Sequence, residues 1–343
     1  LSAPAPLVPL LRLAALAYGG AIRLRNRRWD RPGHARHAPL PVLSLGNLTV
    51  GGTGKTPLAG WLARRLADAG RRPAIVSRGY GGTAGRGPLV VSRGDGPACD
   101  AAVCGDEPYL LATRLPGVAV VVGSDRHAGA VAAARMGCDV AVLDDGFQHR
   151  RLSRDLDLLL LDASDPFGNG RLLPAGPLRE PVASLGRADV VVLTRSGPEE
   201  SHARIEREVR RHNLSAPIVR AGHRRVGFFD AGGRPAPRPA RAVAFCGIGN
   251  PGGFRRDLEE EGVDIAGFAA YRDHHRYTQS ELQRLVRRAG EASAALVTTE
   301  KDRVRIATWG DGPEILALRI EAEVFDPETL MRPVRQALGD GSR

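Results

Sequence analysis

Thr49-Val50-Gly51-Gly52-Thr53-Gly54-Lys55-Thr56 follows the apolar run Pro41-Val42-Leu43-Ser44-Leu45 and opens a helical pattern near Pro57. A strand, a glycine-rich turn and a helix beginning on Lys-Thr form the layout of a phosphate-binding loop. The glycines let backbone N–H groups converge on phosphate oxygens, and the helix N-terminus adds positive potential. Lys55 then reaches the β and γ phosphates, and the Thr56 hydroxyl holds Mg²⁺. The usual spacing, G-x-x-x-x-G-K-[ST], asks for glycine where this chain has Thr49; the Gly51-Gly52 pair supplies turn freedom instead. Only two of the 49 cationic side chains are lysines, Lys55 and Lys301. A chain that writes nearly every cation as arginine but places lysine here points to a cradle that fits a compact ammonium and not a planar guanidinium.

A length of 343 residues gives a prior of about two domains. Hydrophobic residues make up 43%, ample for packed cores, and the net charge of +11 points to anionic partners. Aromatic content of 5% argues against a base-stacking surface, so nucleic acid is not an expected partner. Cys99, Cys104, Cys138 and Cys246 show no metal spacing and read as small apolar residues of a reducing compartment.

The first thirty residues stand apart. Leu7 to Ile22 is apolar except for Arg12, and Arg23, Arg25, Arg27, Arg28 and Arg31 follow, with Trp29 among them. The run is too short, and too interrupted by Arg12 and Gly19-Gly20, to span a bilayer. It lacks the charge order and cleavage site of a signal peptide. An interfacial amphipathic helix with a basic collar, lying on an anionic membrane surface, is the expectation for residues 1–31.

From Pro41 onward apolar strands alternate with helices. The expectation is an α/β fold: a P-loop NTPase-like parallel sheet domain at 32–225 and a second, smaller α/β domain at 226–343 that closes over the nucleotide cleft. Asp144-Asp145-Gly146-Phe147-Gln148-His149 sits where an apolar strand ends. An aspartate there holds Mg²⁺ in phosphate-loop enzymes, and two adjacent carboxylates can divide the work. The stretch from Gly168 to Pro181 shows almost no helical or strand pattern, which marks a functional or mobile segment. Arg171 and Arg179 are candidates for gripping a substrate phosphate, and Glu180 for completing a Mg²⁺ shell. Gly247-Ile248-Gly249-Asn250-Pro251-Gly252 reads as a strand-to-helix turn at the cleft and not as a dinucleotide fingerprint, because Pro251 restricts Asn250.

The ordered set resembles one family, the tetraacyldisaccharide 4′-kinases of lipid A synthesis. It rests on Gly46-Asn47-Leu48-Thr49-Val50-Gly51-Gly52-Thr53-Gly54-Lys55-Thr56-Pro57, Ser77-Arg78-Gly79-Tyr80-Gly81 and Gly105-Asp106-Glu107-Pro108. It continues through Asp144 to His149, Gly176-Pro177-Leu178-Arg179-Glu180-Pro181, Asp273-His274 and Thr299-Glu300-Lys301-Asp302. The resemblance implies transfer of the γ-phosphate of ATP to the 4′-hydroxyl of an acylated glucosamine disaccharide 1-phosphate, on the cytoplasmic face of a Gram-negative inner membrane. It makes Asp106 the catalytic aspartate with His274 as its partner. It sets Thr56, Asp145, Gln148 and Glu180 around Mg²⁺, and leaves Asn47, Arg78, Arg171 and Asp144 to the substrate side. The competing expectation is a membrane-attached P-loop ATPase or switch protein without lipid kinase activity.

Overall fold

Val42–Asn47 (β1) carries no polar alternation because both of its faces are covered: all six residues are buried. The computed structural model describes residues 8–31, 33–83, 85, 87–306 and 314–340, so Leu7 and the extreme ends of the first and last expected segments lie outside the described residues. The further strands among the described residues are Pro73–Ser77 (β2), Leu89–Ser92 (β3), Ala119–Val122 (β4), Val140–Leu143 (β5), Leu156–Asp162 (β6), Val190–Thr194 (β7), Ile218–Phe229 (β8), Pro235–Ala236 (β9), Arg241–Cys246 (β10), Asp264–Ala270 (β11), Ala295–Thr299 (β12) and Ile315–Val324 (β13). They form one 13-stranded sheet in the order β11-β10-β12-β13-β8-β7-β6-β1-β5-β2-β4-β3, with β9 paired to β8. The block from β8 to β4 is parallel, as is the block from β10 to β13; β3 is an antiparallel edge.

The two blocks meet in β8. Residues 218–220 pair in parallel with β7, and residues 221–229 pair antiparallel with β13. The division expected at residue 225 therefore falls inside a strand that both blocks share. The sequence predicts only the piece 226–229, because Arg220, His223, Arg224 and Arg225 break the apolar pattern. Cross-strand pairing carries the chain through them.

The helix Lys55–Asp68 lays Leu58, Leu62 and Leu66 against Leu43 and Leu45, each at most 2% exposed. Fully burying a leucine is worth about 1.5–3 kcal/mol, so this face fixes the helix whose first turn is the phosphate site. Leu62→Ala would cost about 2–5 kcal/mol. The helix Pro327–Ala337, which the sequence groups with the second unit, sends Leu330, Met331 and Val334 into this same first core.

The first helix, Val8–Trp29, runs through Arg23, Arg25, Arg27 and Arg28 without ending at the apolar boundary, since alanine, leucine and arginine are all good helix formers. Gly19, which looks like an interruption in sequence, is a close approach: a Cβ there would stand 2.9 Å from the Leu172 side chain. Ala15, Gly19 and Ile22 face the protein. Leu10, Leu13, Leu16 and Leu24 face outward, 62% to 74% exposed. No helix among the described residues is long and apolar enough to cross a membrane. All four cysteines are free thiols, Cys104 and Cys246 buried.

Candidate active site

The phosphate loop hangs from the end of β1. Gly51 (φ 123°) and Gly54 (φ 78°) take left-handed backbone, and Gly54 caps the helix that begins at Lys55. Thr49 needs no such freedom. It bridges Leu178 in strand fashion, the Val50 N–H donates to the Pro177 carbonyl at 2.8 Å, and the Arg179 N–H donates to the Leu48 carbonyl at 2.6 Å. The patternless stretch before Pro181 is thus the outer brace of the loop. On its other side Arg195, ion-paired to Asp162, donates to the Gly52 carbonyl at 2.6 Å.

Below the loop the cations and carboxylates sort into two groups. In one, Lys55 Nζ lies 3.6 Å from Asp145 Oδ1, and Arg179 Nη1 donates to both Asp145 oxygens at 3.0 and 2.9 Å. Gln148 closes the group, its Oε1 3.4 Å from Arg179 and its Nε2 donating to the Asn47 carbonyl at 2.9 Å. Burial alone would raise the Asp145 carboxyl, but the Lys55 and Arg179 charges outweigh it and hold it below its usual range. In the other, Thr56 Oγ1 lies 2.8 Å from Asp144 Oδ2 and 3.3 Å from Glu107 Oε2. One hydroxyl hydrogen cannot serve two carboxylates. The second Asp144 oxygen is buried without a hydrogen-bond partner. Burial, with Glu107 next, pushes Asp144 up to about 6.

No ion pair reaches Asp144 among the described residues, and with Thr56 it offers oxygens that fit a small divalent cation. Among the described residues no three His, Cys, Asp or Glu side chains gather to form a closed metal cage. Mg²⁺ does not require one, since it is held by one or two carboxylates together with substrate phosphates and waters.

Several sequence assignments change here. Asp144, placed on the substrate side, is the carboxylate that touches Thr56, while Asp145 faces Lys55 and Arg179. Glu180, placed around the metal, is fully buried elsewhere: Arg25 (3.0 Å), Asn26 (2.9 Å), Ser184 (3.1 Å) and Arg187 (2.7 Å) all donate to it. Burial alone would raise it, but Arg187 and its other donors outweigh that and hold it below the usual carboxylate range. With its oxygens so engaged it anchors the first helix and does not reach Thr56. Arg171 is exposed on the outer turn and does not line the cleft, whereas Arg78 does. Asn47 is buried beneath Gln148, both its side-chain amide atoms unpartnered.

Asp106 begins the helix Asp106–Arg114; its cap is Gly105, and no side chain caps the end. The Asp106 carboxylate instead meets residues of the second unit, its side chain 21% exposed. Its Oδ2 lies 3.3 Å from His274 Nδ1 and 2.7 Å from Arg305 Nε. Arg305 Nη2 is also 3.2 Å from the same His274 nitrogen. A guanidinium only donates and a carboxylate only accepts. His274 Nδ1 therefore either carries a hydrogen toward Asp106 or offers a lone pair to Arg305. Asp302, fully buried, fixes Arg305 at 2.8 Å and also accepts from the Gly247 N–H, the Tyr277 hydroxyl and the Thr299 hydroxyl. His274 sits at φ 60°, its ring 5.5 Å from that of Tyr80.

Sequence reasoning missed Glu107, Arg126 and Arg305 and gave Lys301 no role. Lys301 Nζ lies 2.8 Å from Glu107 Oε1. Arg126, 4% exposed, donates to the Gly123 carbonyl at 2.6 Å beside the cleft, and burial lowers its guanidinium to about 10. The scarcity of lysine was the one signal available for this set. Glu107, Arg126 and Lys301 line one cleft of about 2480 Å³ that reaches from Tyr18 and Arg28 of the first helix to Phe254 and His274 of the second unit. Gly247 to Asn250 is a turn, with Asn250 capping the helix Pro251–Glu260 through the Gly253 N–H at 3.1 Å.

Residues 7–339 match the family model described as tetraacyldisaccharide-1-P 4′-kinase. A tetraacyldisaccharide 4′-kinase of Anaeromyxobacter sp. (strain Fw109-5) is 46% identical over 333 residues, 94% of this chain and 89% of that protein. One from Geobacter metallireducens is 43% identical over 346 residues, 97% of this chain and 96% of its own length. The crystal structure of LpxK from Aquifex aeolicus in complex with ATP superposes with a TM-score of 0.78 at 32% identity, covering 97% of this chain and 98% of that one.

Proposed function

The chain belongs to the tetraacyldisaccharide-1-phosphate 4′-kinase family, and on that premise we propose how its cleft divides the work. It is a kinase that transfers the γ-phosphoryl group of ATP to the 4′-hydroxyl of tetraacyldisaccharide 1-phosphate, giving the bis-phosphorylated lipid A precursor. The observation that carries our reading of the site is the meeting of Asp106 and His274, 3.3 Å apart, one residue from the Glu107 carboxylate that reaches Thr56. A candidate proton acceptor thus stands beside the phosphate loop.

In this reading Thr49 to Gly54 wrap the phosphates and Lys55 takes the β and γ oxygens, held in aim by Asp145. Gln148 bears on that aim through Arg179. Thr56 and Asp144 would hold Mg²⁺, which when bound offsets phosphate charge. Arg305 and His274 both engage Asp106 Oδ2, so Oδ1 is left to take the 4′-hydroxyl proton as the phosphoryl group moves. Arg78 and Arg126 supply positive charge for the 1-phosphate of the acceptor, with Asn47 ordering the loop from beneath. Residues 32–225 and 226–343 act as two halves, and the second brings His274 and Arg305 to Asp106 of the first. The outward leucines of Val8–Trp29 and its arginines support a peripheral seat on the anionic cytoplasmic face of a Gram-negative inner membrane.

The test is incubation with ATP labelled at the γ-phosphate, with and without the acylated disaccharide 1-phosphate. Label moving to the organic phase supports the kinase. Label appearing only as inorganic phosphate supports the membrane-attached ATPase or switch.

A further inference from the structure

Both lysines of this arginine-rich chain, Lys55 and Lys301, line the cleft, each paired with a carboxylate, Asp145 and Glu107. Lys301 lies in the first turn of the helix Glu300–Ile306, directly after β12, and so belongs to the second unit. Its ammonium is 2.8 Å from one Glu107 oxygen, and the other Glu107 oxygen is 3.3 Å from the Thr56 hydroxyl. One carboxylate therefore separates Lys301 from the base of the phosphate loop. The side chain is 23% exposed and faces the cleft.

A plain strut between the halves would not need lysine. The neighbouring pairs across the same boundary, Arg114 with Glu300 and Glu321, Arg305 with Asp106 and Arg71 with Asp340, are made by arginine. A guanidinium serves such a strut at least as well, because its fork engages both carboxylate oxygens. A compact ammonium is the better partner where phosphate oxygens crowd together.

We propose that Lys301 is a second phosphate-directed cation of the transfer site, parked on Glu107 while the cleft is open and presented by the second unit to the transferring phosphoryl group. This rests on the kinase reading above. Lys301 makes no covalent bond and takes no part in the proton transfer. As the bond from the γ-phosphorus to the ADP oxygen breaks and the bond to O4′ forms, the 4′-hydroxyl proton passes to Asp106. The Lys301 ammonium meanwhile offsets charge on the equatorial and departing oxygens. Glu107 is an apt parking place, because one of its oxygens takes Lys301 while the other faces the Thr56 hydroxyl at the base of the loop.

The experiment compares wild type, Lys301→Ala and Lys301→Arg in full-length protein. Lys301→Ala should lower kcat on the order of 10²-fold, the cost of losing one such electrostatic donor, with ATP affinity within about threefold of wild type. Lys301→Arg should keep the thermal midpoint of wild type and recover little kcat. Binding of the transition-state mimic formed by ADP, Mg²⁺ and aluminium fluoride is measured beside it, since it needs no lipid acceptor. Wild type should hold the mimic far more tightly than ADP, and Lys301→Ala should lose that preference. A wild type that binds the mimic but labels no lipid overturns the kinase reading and still tests Lys301. An arginine variant with full kcat, or an alanine variant that keeps its preference for the mimic, makes Lys301 a strut and overturns the proposal.

Discussion

Arg305 Nε lies 2.7 Å from Asp106 Oδ2, a bond between residues 199 positions apart in the chain. It binds the proposed proton acceptor to the second unit without using the acceptor as a helix cap, a place that Gly105 fills. Asp106→Asn keeps an oxygen for Arg305 and loses no cap, so folding and ATP binding should be unchanged. Turnover should fall about 10²–10⁴-fold, because an amide cannot take the proton. His274→Ala should add little on top of it, since residues acting as a unit are non-additive. Steady-state kinetics on the two single variants and the double variant check this. Fully multiplicative losses would put the base elsewhere.

Lys55 is enclosed between the loop and Asp145, its side chain 11% exposed, and Arg179 already occupies the far side of that carboxylate. Lys55→Ala should reduce kcat by about 10²–10³-fold. Lys55→Arg should rescue poorly, because a planar fork fits neither the cradle nor the crowded Asp145. Near-normal kcat in the arginine variant would show that charge alone suffices.

Asp144 carries a stability cost that the active site imposes. Burial, and then Glu107, raises it from 3.8 to about 6. Between those values the native state retains a proton that the unfolded chain has released. Its stability contribution is thus fully present below pH 3.8 and is lost as pH rises through about 6. Asp144→Asn removes the penalty. Without nucleotide the variant should be more stable than wild type at pH 8 by about 1–3 kcal/mol, with a smaller gain at pH 5, while turnover collapses. Thermal melts across this range check it; a pH-independent difference would mean that Asp144 is not desolvated as described.

The first helix divides into two parts with different duties. Its outward leucines begin at Leu10, whereas Arg25 and Asn26 hold the buried Glu180. Removing residues 1–16 should weaken sedimentation with anionic vesicles and leave the thermal midpoint alone. Removing residues 1–29 should also destabilise the fold by about 1–3 kcal/mol, since Glu180 loses two of its donors. Equal midpoints for the two truncations would mean that the helix is not tied to the core through Glu180.

The strands covered on both faces, β1 and β4 to β7, were legible as predominantly apolar runs. β8 was not, because a strand held by its neighbours can carry Arg220, His223, Arg224 and Arg225 with no apolar signature. The phosphate loop and the Asp144-Asp145 pair could be read because each is contiguous in sequence. Glu107 with Lys301 and Asp106 with Arg305 could not, since their partners are 194 and 199 residues away. Glu180 shows the other limit. A carboxylate among arginines looks the same in sequence whether it awaits a metal or already sits in a finished ion-pair network.

The helix Pro327–Ala337 sends Leu330, Met331 and Val334 into the same core as Leu58, Leu62 and Leu66 of the helix that presents Lys55 and Thr56. A helix late in the sequence thus completes the core that an early one begins. A nascent chain therefore lacks part of the core that seats its nucleotide site until this helix has been made. A copy cut short before Pro327 leaves that core incomplete, which makes it a client for chaperones and proteases before it can be a weak enzyme. The order of synthesis thus sets a check on this helix that comes before any turnover of ATP.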